Sequence, residues 1–112
     1  MFLIVAKYLI PKGYRGMTVF PFVLMKYDFD KENQIFINHE KIHLRQQLEL
    51  LILPFFIWYF FEYLLRLVQY KNAGLAYRNI SFEREAYANE TDLNYLKNRS
   101  FLGFFKYLTL KQ

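Results

Sequence analysis

Cysteine is absent from the 112 residues, so neither a disulfide nor a thiolate metal ligand is available to this chain. A membrane-crossing run is missing as well. The longest apolar stretch, Leu50 to Phe61 (LLILPFFIWYFF), stops at Glu62 after twelve residues, with Arg66 one turn later. A span needs about 20. Glu62 and Arg66 stand i, i+4 apart and can pair across that turn. The stretch reads as a buried core helix, with an interfacial or membrane-inserted helix as the alternative. The opening MFLIVAKYLIP has no basic leader and no small-residue cleavage site, so it does not read as a signal peptide. The expectation is a cytoplasmic protein, or one attached to a membrane through residues 50–68. Repeats, low-complexity tracts and linkers are also lacking, and this length makes one domain with a modest core.

What is present is aromatic and basic. Ten tyrosines, 13 phenylalanines and one tryptophan are a heavy load for so short a chain, and the net charge is +5 with a pI near 9.4. Such a charge suits a nucleic acid or an anionic membrane surface. The cations are scattered from Lys7 to Lys111 without a stripe or a reading module, so no nucleic-acid partner is expected. A membrane surface stays open.

Histidine is almost as scarce as cysteine. The only two occur as His39-Glu40-Lys41-Ile42-His43, an HExxH string. On a helix, positions i and i+4 project from one face, so both imidazoles can close on one metal ion. Glu40 projects beside that face, where it can take a proton from a water that the metal activates. Lys41, Arg45 and Leu48 fall opposite the histidines, while Gln46, Gln47 and Leu50 continue their face. Without cysteine, a zinc ion here is held by imidazole and carboxylate, the ligand set of hydrolytic rather than closed structural sites. A third protein ligand is then required, and the acids beyond this helix are Glu83, Glu85, Glu90 and Asp92.

Residues 1–37 read as strands forming a small antiparallel sheet. Pro11 to Gly16 is turn chemistry, and Pro21 inside the strand-like Met17–Tyr27 marks an edge strand or a bulge. A helix is expected over 38–70, kinked or divided at Pro54, and ended by Lys71-Asn72-Ala73-Gly74. A second runs over 79–97 from a cap at Asn79 or Ser81, with Phe82, Ala86, Leu93 and Leu96 as its apolar stripe. Glu83 and Glu90 lie on one shoulder of that stripe and Glu85 on the other. Ser100 can cap a short helix over 100–108. Strands followed by helices make the fold class α+β.

The stretch NHEKIHLRQQLELL resembles the HExxHxxQQ form of zincin metallopeptidases, and FEREAYANE resembles the ExxA motif that gluzincins carry on their glutamate helix. The resemblance covers about residues 36–90. It is nearest in size to the single-domain minigluzincins, and the chain also looks like short bacterial proteins carrying NHExIHxRQQxE. Carried over residue by residue, it implies a zincin-like fold and a zinc-dependent peptidase. His39, His43 and Glu83 would be the metal ligands and Glu40 the general base, with a peptide or protein as substrate. Tyr87 stands where most gluzincins have Asp, or Ser before Asp; a phenol there can still hydrogen-bond a histidine. Tyr77, Arg78 and Tyr87 are candidates for supporting the histidines or donating to an oxyanion. Lys41 and Arg45 depart from the uncharged or apolar residues the family prefers. The strand around Met17–Met25 can pair with an extended substrate. The alternative is a metal-binding zincin-like protein without hydrolysis, or one that works at a membrane surface; Glu83 also reads as a helix-N-terminal acid favoured by the dipole, a role that needs no metal.

Overall fold

The computed structural model describes residues 2–10, 12, 14–27 and 32–108. Three short strands form one sheet: β1 (Phe2–Val5), β2 (Gly16–Val19) and β3 (Phe22–Met25), in the order β1-β3-β2. β2 and β3 are an antiparallel hairpin, but β1 runs parallel to β3, pairing Phe2 with Phe22 and Val5 with Met25. The sheet is therefore mixed, not antiparallel throughout. Pro21 sits in the hairpin turn, where its missing N–H costs no ladder bond, so it is neither in an edge strand nor at a bulge. The fold is α+β, with five helices following the sheet.

α1 (Gln34–Glu49) starts where the Asn33 side chain accepts from the Phe36 N–H at 3.1 Å. The helix expected over 38–70 is two helices, and α2 (Leu53–Tyr70) leaves α1 at an angle of 112°. The break lies at Leu51 and Ile52, both at positive φ, while Pro54 occupies the first turn of α2, where proline is tolerated. Lys71 in the left-handed conformation ends α2, returning its N–H to the Leu67 carbonyl at 2.8 Å. Gly74 falls instead inside α3 (Ala73–Arg78), an element the sequence did not announce.

The long helix over 79–97 is likewise shorter. α4 spans Ser81–Asn89, and α5 (Tyr95–Asn98) is a separate turn. Leu93, expected in the stripe, is exposed. Neither Asn79 nor Ser81 caps α4 with its side chain. The Glu62 carboxylate does that work from α2, accepting from the Ser81 N–H and Oγ, each at 2.6 Å. The C-terminal helix expected over 100–108 is a 3-10 turn over Gly103–Tyr107, without a side-chain cap at Ser100.

Two apolar cores flank the polar middle of the molecule. Phe55, Ile80, Phe82 and Phe104 form one, with Phe82 ring centroids 4.4 and 4.6 Å from Phe55 and Phe104. Val23, Met25 and Leu44 form the other, between the sheet and α1. α2 meets the core-helix expectation on one side, where Phe55 is buried and Phe56, Trp58, Tyr59 and Tyr63 pack against the first core, while much of its other side is exposed. Among the described residues no single helix is long and apolar enough to cross a membrane; α1 and α2 together pass by length and composition, but across the 112° bend.

Candidate metal centre

α1 presents His39 and His43 one turn apart, their Nε2 atoms separated by 3.2 Å. Glu83, in the first turn of α4, brings Oε1 to 3.3 Å from His39 Nε2 and 3.1 Å from His43 Nε2. All three side chains are buried, with one potential ligand atom from each within 4.8 Å of the others. Among the described residues this is the one group of its kind. It can hold a metal ion. Asn38, the residue before His39, fixes the helix spacing by donating to the carbonyls of Asn89, Glu90 and Asp92 at 3.3, 2.8 and 3.0 Å.

The donor set is oriented by neighbours that decide which nitrogen carries the proton. Gln46 Nε2 donates to the Phe82 carbonyl at 3.1 Å and to Glu85 Oε1 at 2.9 Å. Its Oε1 is therefore left to accept from His43 Nδ1 at 2.8 Å, which directs the His43 Nε2 lone pair towards Glu83. A carboxylate likewise stands behind His39, with Glu90 Oε1 3.2 Å from Nδ1. Two imidazole lone pairs and a carboxylate oxygen so face one point, an arrangement that needs a cation or a proton between them. In the metal-free protein the proton takes that place. Burial alone would lower the His43 pKa, but the Glu83 carboxylate against Nε2 holds it up at about 9. Burial would raise Glu83, yet the two imidazoles keep its carboxyl well below the usual range. The remaining Glu83 oxygen accepts from the Tyr59 hydroxyl at 2.7 Å.

Glu40, also buried, does not join the ligand group; Thr18 Oγ1 on β2 donates to its Oε2. A cleft opens beside it in two lobes. One, of about 340 Å³, is walled by Met17, Phe55, Phe56, Tyr59 and Tyr63 and is also lined by His43, Glu40 and Glu83. The other, about 570 Å³ and more polar, reaches Lys12, Arg15, Asn33, His39 and Glu90. Tyr14, Gly16, Glu40 and Tyr77 border both lobes. Burial, with Glu83 nearby, pushes the Tyr77 and Tyr59 phenols far above their ordinary pKa, so both stay protonated.

The sequence-level candidates separate here. Tyr87 packs its ring edge-on against His39, centroids 4.5 Å apart; the hydrogen bond to that histidine comes from Glu90 instead. Arg78 lies over the Tyr87 ring at 3.8 Å, is exposed, and lines neither lobe. Glu85 is turned away, fully buried against Arg99 and the Tyr95 hydroxyl (2.6 Å). Asp92 is exposed in the turn after α4. Lys41 and Leu48 are exposed on the far side of α1, while Gln46 and Gln47 are buried on the histidine side.

Gln47 alters the expectation of strand pairing. Its Nε2 donates to the Thr18 carbonyl and its Oε1 accepts from the Phe20 N–H, each at 2.7 Å. The carboxamide thus occupies the outer edge of β2 like a neighbouring peptide unit. An incoming strand finds that end taken, and only the stretch around Gly16 remains on the cleft. Tyr59, Thr18 and the orienting glutamines carried no role in the sequence reading. For the glutamines the signal was there, since they continue the histidine face; for Tyr59 and Thr18 nothing local marks them. No family model matches the chain, and no curated protein and no solved structure matches it.

Proposed function

We propose that this chain is a small zinc-dependent peptidase of gluzincin type with a zincin-like fold. The observation that carries the reading is the convergence of His39 Nε2, His43 Nε2 and Glu83 Oε1, with Glu40 beside them at a cleft rather than among the ligands. Imidazole and carboxylate donors without thiolate suit zinc at a hydrolytic site. Bound by these three residues, zinc supplies a Lewis acid that polarises a carbonyl and lowers the pKa of water.

The chain's own residues do the rest. Glu40 accepts the proton of the attacking water and returns it to the leaving amine, a general-base step typically worth about 10² to 10⁴ in rate. Thr18 holds one Glu40 oxygen and leaves the other for the proton. The Tyr77 hydroxyl, kept protonated by burial at the border of both lobes, is the donor this reading assigns to the carbonyl oxygen as it gains negative charge, exchanging its contact with Tyr87 for the substrate. The apolar lobe takes a large apolar side chain of the substrate.

Glu40→Gln tests this reading. The amide keeps the shape but cannot accept a proton at neutral pH. Wild-type protein should cleave flexible peptides in a chelator-sensitive way, and Glu40→Gln should be silent while keeping its metal. Equal activity in both would refute the assignment. One observation favours a second reading, a metal-holding protein without hydrolysis: Glu40 is already engaged by Thr18. Metal bound with no cleavage by wild type would support it.

A further inference from the structure

α2 is turned inside out relative to an ordinary surface helix. Its two charged side chains, Glu62 and Arg66, are buried and pair at 3.3 Å; Glu62 also accepts from Trp58 and Ser81, and Arg66 donates to Gln69 and the Leu108 carbonyl, while its buried Nε has no partner among the described residues. Its outer face is Leu53, Ile57, Phe60, Phe61, Leu64 and Val68, each between 40% and 75% exposed. At 100° per residue these six fall within one stripe about 100° wide, and from Leu53 to Val68 it runs about 23 Å. No charge of either sign interrupts it. Single exposed apolar residues need no explanation, but a contiguous stripe of this size does.

The charge around the stripe decides what covers it. Glu40, Glu62, Glu83 and Glu85 are buried, as are the side chains of Arg66 and Arg99, so the outer surface is more cationic than the net charge of +5 conveys. Lys71 is exposed at the C-terminal end of α2. Lys106 is exposed next to Phe105, whose ring lies 6.0 Å from Trp58 of the same helix. A second copy of the chain would bring this positive surface against itself. An anionic lipid surface accepts both the apolar stripe and the cationic rim.

We propose that the outer face of α2 docks this protein onto anionic membranes, with the helix lying in the interface rather than crossing it. The inference stands on α2 and its rim and does not depend on the metal centre. Docking is tested by flotation of the full chain with vesicles of phosphatidylcholine, with and without phosphatidylglycerol, at low and high salt. Wild type should float with the anionic vesicles, less so at high salt because screening weakens the cationic share. Phe61→Glu should reduce the bound fraction by about tenfold or more, since it places an anion in the stripe, and Ile57→Ser should reduce it by less. Both positions are exposed, so both variants should keep the wild-type circular dichroism and unfolding transition. Should Phe61→Glu fail to fold, Ile57→Ser carries the comparison. Wild type left behind with both lipids would overturn the proposal, as would variants that float like wild type. So would a lipid-indifferent dimer that Phe61→Glu dissolves, because a second copy would then be the occupant.

Discussion

Replacing Tyr59 by Phe deletes a single oxygen from the candidate metal centre and leaves its packing intact. The Tyr59 hydroxyl donates at 2.7 Å to Glu83 Oε2, while Oε1 faces the histidines. Glu83 is buried and ionised, so the lost bond is one to a charged group, worth about 1.5–3 kcal/mol. The ring still fills its place against Phe55 and Phe82, stacked 5° from parallel with the latter, so no cavity term adds to this. Thermal unfolding of the metal-free variant should fall by several degrees, at about 4 °C per kcal/mol for a chain of this size. Zinc affinity, measured by competition with a chromophoric chelator, should drop about 10- to 100-fold, the usual cost of removing a group that orients a ligand. Affinity within twofold of wild type would refute the reasoning, because it would mean that Glu83 is not a ligand held by Tyr59.

Gln46→Glu keeps an acceptor for His43 Nδ1 but removes the donor to the Phe82 carbonyl and sets a carboxylate against buried Glu85. A loss of several kcal/mol is expected from two carboxylates buried against each other and the Phe82 carbonyl left without its donor, whereas Gln46→Leu, which buries no second carboxylate, should cost less in urea unfolding. The pH dependence should differ between the loaded and metal-free forms. In the metal-free protein His43 is raised from 6.5 to about 9, so its stabilisation is complete below about 6.5 and lost as pH rises through 9. Glu83 is lowered from 4.5, so its share is present above about 4.5 and lost as pH falls. Metal-free stability should thus be highest near pH 5–6 and decline towards 9, while the stabilisation added by zinc grows over the same range, since binding displaces the His43 proton. A zinc-induced shift in melting temperature independent of pH would contradict this.

The approach of His39 and His43 was legible because helical spacing is local: they are i, i+4, and nothing beyond the helix is needed to bring them together. The wheel also placed Glu83 and Glu90 on one shoulder, and the structure uses both against His39, one at Nε2 and one at Nδ1. Thr18 and Tyr59 reach the centre from β2 and α2, through distances that no local pattern encodes. The α1–α2 break was assigned to Pro54, the recognisable breaker, but it sits at Leu51 and Ile52, residues that rarely take positive φ. The direction of β1 is equally invisible, since the alternation of a short apolar strand is the same in parallel and antiparallel pairing. For α2, hydropathy marked the apolar stretch but not which way it faces. The cue was Glu62 and Arg66 at i, i+4, which the fold turns inwards as a buried pair.

The central claim is that His39, His43 and Glu83 hold one zinc ion, and elemental analysis of the purified protein tests it most directly. Wild type and Glu40→Gln should each carry about one zinc per chain, because Glu40 stands outside the ligand group, and His43→Ala should lose it, since two ligands seldom hold the ion tightly. Wild type without zinc after loading, or His43→Ala that keeps it, would contradict the account.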